Sequence, residues 1–261
     1  MIFNPLIVVA SELGLARPSA RARSNAERKS SLVQAYRRAA SCELGSLIVD
    51  GVDDESTAAA AAEGAYTVRT DLGEFDRTHN YRSNSGAERI AATVNRFDRF
   101  YSHDIVIAVP DDVTELKPYY LQALMYALAT TEVGIATLVA PLGTGKSGDN
   151  DVAKATVKWN PDRIVYPLEG SRVGTLLDIR RDQSLLRGED CYELVPIHAW
   201  RRAALDRVVR TPPSEREFVE GTDLVRALEI GIRIDVAFVS DDIKVLMTPE
   251  QLRGEIVDMG H

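Results

Sequence analysis

The chain has 261 residues, 45% of them apolar and 27% charged, a balance that supports a substantial buried core and excludes disorder over most of the length. A formal net charge of -8 speaks against nonspecific binding to a nucleic-acid backbone, which depends on Lys and Arg displacing counterions. The two cysteines, Cys42 and Cys191, are too far apart in sequence to make a disulfide framework or a paired-cysteine metal ribbon, and they fit a reducing, cytoplasmic setting.

In chain order, the short apolar run Ile7-Val8-Val9-Ala10 has no basic residue ahead of it and reads as a first buried strand, over Leu6 to Ala10, rather than a signal peptide. No run reaches the roughly 18 apolar residues of a membrane span. Ser31 to Ala40 reads as a helix, Leu47 to Val49 as a strand ending at Asp50, the alanine-rich Glu55 to Glu63 as a helix and Tyr66 to Val68 as a short strand. In Gly86 to Phe97, Ile90, Val94 and Phe97 recur at helical spacing, and Ile105 to Val109 is a continuous apolar strand of the kind buried on both faces. Tyr119 to Leu128 gives another helix and Val133 to Val139 another strand. Beyond Gly143 the pattern loosens: Ala155 to Trp159 and Arg163 to Tyr166 alternate like the two strands of a hairpin. The polar stretches Leu72 to Asn84 and Gly143 to Asn150 read as surface loops.

Strands alternating with helices predict an α/β fold with a mostly parallel, Rossmann-like sheet. A smaller antiparallel portion is expected at about 143–215, within one domain spanning 1–261.

Between Arg17 and Arg38 stand seven basic residues against one acid, Glu27, which describes either a solvated face or a pocket for phosphate. Ala140-Pro-Leu-Gly-Thr-Gly-Lys146-Ser147 fits a relaxed P-loop pattern, but Gly148-Asp149-Asn150 and a strand-like run follow where the phosphate-binding helix should begin. Asp111-Asp112 closes a buried strand, the place where open α/β sheets bind ligands. Such carboxylates hold Mg²⁺ or simply form an acid-rich turn. His79, His103, His198 and His261 have no metal-ligand spacing, and the glycine fingerprint of dinucleotide sites is absent after the first strand.

Ser85-Gly86-Ala87-Glu88-Arg89, followed by a helix, a strand and Asp111, resembles the 3-deoxy-manno-octulosonate cytidylyltransferase family, which reads Ser-Gly-Thr-Glu-Arg and then Gln-Gly-Asp-Glu-Pro at that spacing. Val133 to Leu138, Asp151 to Lys154, Ile197 to Arg201, Glu217 to Arg226 and Thr248 to Leu252 agree in order, so the resemblance covers nearly the whole chain.

The resemblance implies a nucleotidyltransferase fold. It also implies transfer of CMP from CTP to an acidic, KDO-like sugar, with release of pyrophosphate. In that scheme Arg17 and Arg21 hold phosphates, Ser85, Gly86 and Glu88 line the nucleotide pocket with them, and Asp111 carries Mg²⁺. A homodimer is also expected. Departures fall on the family's motif positions: Glu12 for an Arg, Ser19-Ala20 for a Pro-Gly pair, Leu194 for the His of a His-x-Gly-x-Tyr segment, and Met247 for a second metal carboxylate. Methionine is no substitute for a hard oxygen ligand. These departures suggest an alternative, a noncatalytic paralogue retained as a binding or assembly subunit.

Overall fold

The computed structural model describes residues 4–11, 25–51, 53–70, 86–113, 115–143, 148–164, 172–182 and 191–240. Within them the strands are β1 (Pro5–Ala10), β2 (Ser46–Asp50), β3 (Tyr66–Val68), β4 (Ile105–Pro110), β5 (Ile135–Pro141), β6 (Lys154–Ile164), β7 (Arg172–Arg180), β8 (Cys191–Arg201) and β9 (Ile234–Phe238). The helices are α1 (Asn25–Ala40), α2 (Asp54–Ala62), α3 (Gly86–Phe97), α4 (Pro118–Ala127), α5 (Arg202–Val209), α6 (Glu215–Glu220) and α7 (Asp223–Glu229).

All the strands join one sheet in the order β3-β2-β1-β4-β8-β5-β9-β7-β6, with β6 also meeting the start of β8. β1, β2, β3 and β4 pair in parallel, as the βαβ pattern predicts. The later half is mixed: β8 runs antiparallel to β4 and β5, β9 parallel to β5, and β7 antiparallel to β9 and β6.

Every residue of β1 and β4 is buried, because helices cover both faces of the sheet. On one face Leu32, Ala35 and Ala39 of α1, Ala60 of α2 and Leu121 and Leu124 of α4 pack on Ile7, Val9, Ile107 and Val109. On the other, Ile90 and Val94 of α3, Leu205 and Val208 of α5 and Leu224 and Val225 of α7 pack on Leu6, Val8, Val106 and Trp200.

Two boundaries differ from expectation. Helix α1 begins at Asn25, well ahead of Ser31, because its first turns are polar and carry no apolar period, while Glu27 near its start and Arg37 and Arg38 near its end complement the helix dipole. The hairpin expected within 155–166 is instead the single long strand β6, whose partner is β7. Its middle, Asn160-Pro161-Asp162, resembles a turn locally and folds as a bulge: the Asp162 N–H donates to Asn160 Oδ1 at 3.0 Å, and the register shifts between Asn160 and Ile164. Val165 and Tyr166 lie outside the described residues.

Candidate active site

The sheet order reverses between β1 and β4: β2 follows β1 outward on one side, and β4 leads away on the other. A crevice opens beyond the carboxyl ends of such a pair, and ligands of open α/β sheets bind there. Asp111 sits at that point. Its N–H donates to the Ala10 carbonyl at 3.1 Å, which ties the tip of β4 to the tip of β1. The residue is 3% exposed, and its carboxylate accepts a hydrogen bond from Ser31 Oγ of α1 at 3.0 Å. Asp112 lies beside it, half-buried.

The neighbouring tip of β2 carries Asp50, fully buried and tied to Arg89. Arg89 Nε donates to Asp50 Oδ2 at 3.0 Å, and the hydroxyls of Thr70 and Thr93 each donate to the same oxygen at 2.7 Å. The Arg89 guanidinium also donates to the Ser11 carbonyl at the end of β1. One side chain of α3 therefore clamps that helix to the tips of two strands.

The two preceding residues anchor the same helix turn. The Ala87 N–H donates to an Asp223 carboxylate oxygen of α7 at 2.7 Å. Glu88, expected to line the nucleotide pocket, has its carboxylate turned to Arg226, at 2.7 and 3.3 Å, and Arg226 also binds Glu217 at 2.9 Å. Arg226 is 1% exposed, so this one guanidinium balances buried acids that water cannot reach. Burial is the main reason the Glu217 carboxyl is pushed up to about 7 and that of Asp223 to about 6; in each case neighbouring acids add to it and Arg226 opposes it.

A small pocket opens at the start of α3, with Gly86, Ala87, Pro196, His198, Trp200 and Asp223 among its walls. His198 Nδ1 lies 2.8 Å from Thr137 Oγ1, and burial lowers its pKa to about 4, so the ring is neutral. Gly86, expected to line the nucleotide pocket, is among the walls of this one. Arg17, Arg21 and Ser85, like Glu12, Ala20 and Met247, lie outside the described residues. His198, Asp223 and Arg226 fall within Ile197 to Arg201 and Glu217 to Arg226, stretches that carry the family resemblance, but no local pattern marks them as site residues, and only the fold brings them to α3.

Mg²⁺ takes oxygen donors and is commonly bound through one or two carboxylates, with substrate phosphates and water filling the rest of its shell. Asp111 and Asp112 supply donors of that kind. Among the described residues no group of three or more His, Cys, Asp or Glu gathers to hold a metal. The relaxed P-loop pattern is not followed by its helix: turns occupy 148–151 and β6 begins at Lys154.

Comparison with known proteins found no matching family model. Among curated relatives, 3-deoxy-manno-octulosonate cytidylyltransferase of Rhodopseudomonas palustris is 32% identical over 222 residues, covering 85% of this chain and 83% of the relative. The protein of the same name from Methylobacterium radiotolerans is 29% identical over 249 residues, covering 95% and 94%. Among solved structures, CMP:2-keto-3-deoxy-manno-octonic acid synthetase complexed with CTP aligns over 98% of both chains with a TM-score of 0.72 at 18% identity. A putative glucose-1-phosphate thymidylyltransferase from Bacillus anthracis aligns over 99% of this chain and 97% of its own with a TM-score of 0.51 at 8% identity.

Proposed function

Because the chain belongs to the 3-deoxy-manno-octulosonate cytidylyltransferase family, we propose that it transfers CMP from CTP to an acidic 2-keto sugar of the KDO type and releases pyrophosphate. The anomeric hydroxyl of the sugar attacks the α-phosphate, and the bond to the pyrophosphate oxygen breaks. Reactions of this class depend on holding two polar substrates in line and on neutralising phosphate charge.

The observation that carries this reading is the position of Asp111 at the switch point between β1 and β4, beside a helix α3 held by Arg89 on the tips of β1 and β2. Asp111 would hold Mg²⁺, and the ion would draw charge from the phosphate oxygens and orient them. Arg17 and Arg21 follow β1 in sequence, which suits them to grip the triphosphate. Ser85 and Gly86 lead into α3, whose dipole favours an anionic neighbour, although the Ala87 N–H of its first turn is already taken by Asp223. Glu88 would act from behind, by fixing the first turn of α3 through Arg226. A cytoplasmic homodimer fits the same reading, and light scattering measures the subunit count.

Incubation with CTP, Mg²⁺ and a set of 2-keto sugar acids, with pyrophosphate as readout, tests the proposal. Sustained release that is lost in Asp111→Ala is expected. No release with any sugar, together with no CTP binding by calorimetry, would overturn it and favour the noncatalytic paralogue.

A further inference from the structure

The buried stripe of α1 consists of Ser31, Leu32, Ala35 and Ala39. Its three apolar members pack on Ile7, Val9, Ile107 and Val109 of the sheet. Ser31, 4% exposed, brings a hydroxyl into the same stripe, where a polar group without a partner costs free energy. Its Oγ stands 3.0 Å from Asp111 Oδ2 and 3.1 Å from the Arg28 carbonyl three residues back. One proton serves two acceptors, and the carboxylate is the stronger of them. The bond to Arg28 is a local one that a serine in any helix can make. The bond to Asp111 spans 80 positions and exists only because α1 packs across the tip of β4. Asp111 is thereby held twice, by its N–H on the Ala10 carbonyl and by its carboxylate on Ser31.

We propose that Ser31 is a positioning residue for the ion at Asp111: its hydroxyl sets the rotation of the carboxylate in advance, so that ordering this side chain takes nothing from the binding of Mg²⁺ with CTP. The inference rests on the reading of Asp111 as an ion ligand. It adds that the ligand is oriented from α1, an element outside the strand tips that carry it. Hydrogen-bond partners of a ligating carboxylate act on the ion through it, and losing one weakens metal binding about tenfold to a hundredfold.

The test reads CTP binding by calorimetry on the full chain, once with Mg²⁺ and once with a chelator, and with sugar withheld so that nothing turns over. The ratio of the two affinities is the ion's share; a merely structural defect lowers both and leaves the ratio alone. Ser31→Ala should shrink the ratio about tenfold. Ser31→Thr keeps the hydroxyl and should retain the parent ratio. Ser31→Val has the shape of threonine without the hydroxyl and should match Ser31→Ala, so this pair repeats the comparison should Ser31→Ala not fold. Ser30→Ala removes a neighbouring hydroxyl, whose partner is Gln34 at 3.2 Å, and should leave the ratio unchanged. A parent ratio in Ser31→Ala or Ser31→Val, or an equal loss in Ser31→Thr, overturns the positioning role, while a ratio abolished by Asp111→Ala in the same series keeps the ion site. An unchanged ratio in Asp111→Ala overturns both. The expected Ser31 series with no pyrophosphate released from any sugar would sink cytidylyl transfer and leave the positioning role standing.

Discussion

Arg226 shows how much of this site is decided by individual buried groups. One guanidinium meets Glu88 and Glu217 directly and lies near Asp223, so the acids outnumber the cation and one of them favours its neutral form. Burial, reinforced by Asp223 and Glu88 and opposed by Arg226, holds Glu217 at about 7 against an ordinary 4.5. The folded state therefore binds a proton that the unfolded chain releases between those two values. Its contribution to stability is present below about pH 4.5, declines as pH rises, and is lost above about pH 7. Glu217→Gln imitates the protonated form and should be more stable than the parent at pH 8, by on the order of 2 kcal/mol. The difference should shrink toward zero near pH 4.5, as urea midpoints measured across that range would reveal. A constant difference at every pH would mean that the Glu217 carboxyl titrates alike in the folded and unfolded chain. Sequence spacing could propose Glu88 as a site residue because it stands in a motif. Its partner lies 138 positions away, beyond the reach of any local pattern.

Elements are positioned by a few contacts at their ends, and the two kinds of contact respond differently to substitution. Asp53 caps α2, its side chain accepting the Ser56 N–H at 2.7 Å. Gly45 precedes β2 at a point where an added Cβ would fall 2.2 Å from the Pro5 carbonyl oxygen at the start of β1. Asp53→Ala loses one cap on a surface helix and should cost about 1 kcal/mol. Gly45→Ala forces two backbones apart at a parallel pair and should cost more, about 2–3 kcal/mol, with the larger fall in thermal midpoint for Gly45→Ala as the deciding measurement. Equal midpoints would mean that β1 and β2 separate freely at that end. Most elements were legible because their signals are local: Gly86–Phe97 shows a helical apolar period, and Ile105–Pro110 an uninterrupted apolar run. The β6 segment resembles a hairpin in sequence because Asn160-Pro161-Asp162 has turn chemistry, whereas its fold depends on pairing with β7. Sheet order was also hidden, since β8 inserts between β4 and β5 only after the long excursion through β6 and β7.

Across the molecule, charge works against the proposed substrate. A chain of net charge -8 repels a nucleotide triphosphate at long range, so attraction has to come from a local concentration of positive charge. The basic stretch from Arg17 to Arg38 follows β1 in sequence, and its described half lies on α1, which reaches Asp111 through Ser31. Within the described half, Lys29 pairs with Glu55 at 3.4 Å and Arg37 with Glu63 at 2.8 Å, exposed pairs that spend their charge on α2. Those two cations are therefore poorly placed to serve a ligand, and Arg28 lies 3.8 Å from Asp53; the family resemblance points to Arg17 and Arg21 among the others. Replacing both with Ala should weaken CTP binding by about a hundredfold to ten-thousandfold at low salt, since charge-assisted hydrogen bonds contribute about 1.5–3 kcal/mol apiece. It should also flatten the fall in affinity between 20 and about 300 mM salt, because fewer charged contacts remain to be screened. A double variant with unchanged affinity and an unchanged salt slope would assign both arginines to the solvated face. The triphosphate would then have to be held by α3 and an ion at Asp111 alone, against the field of the whole chain.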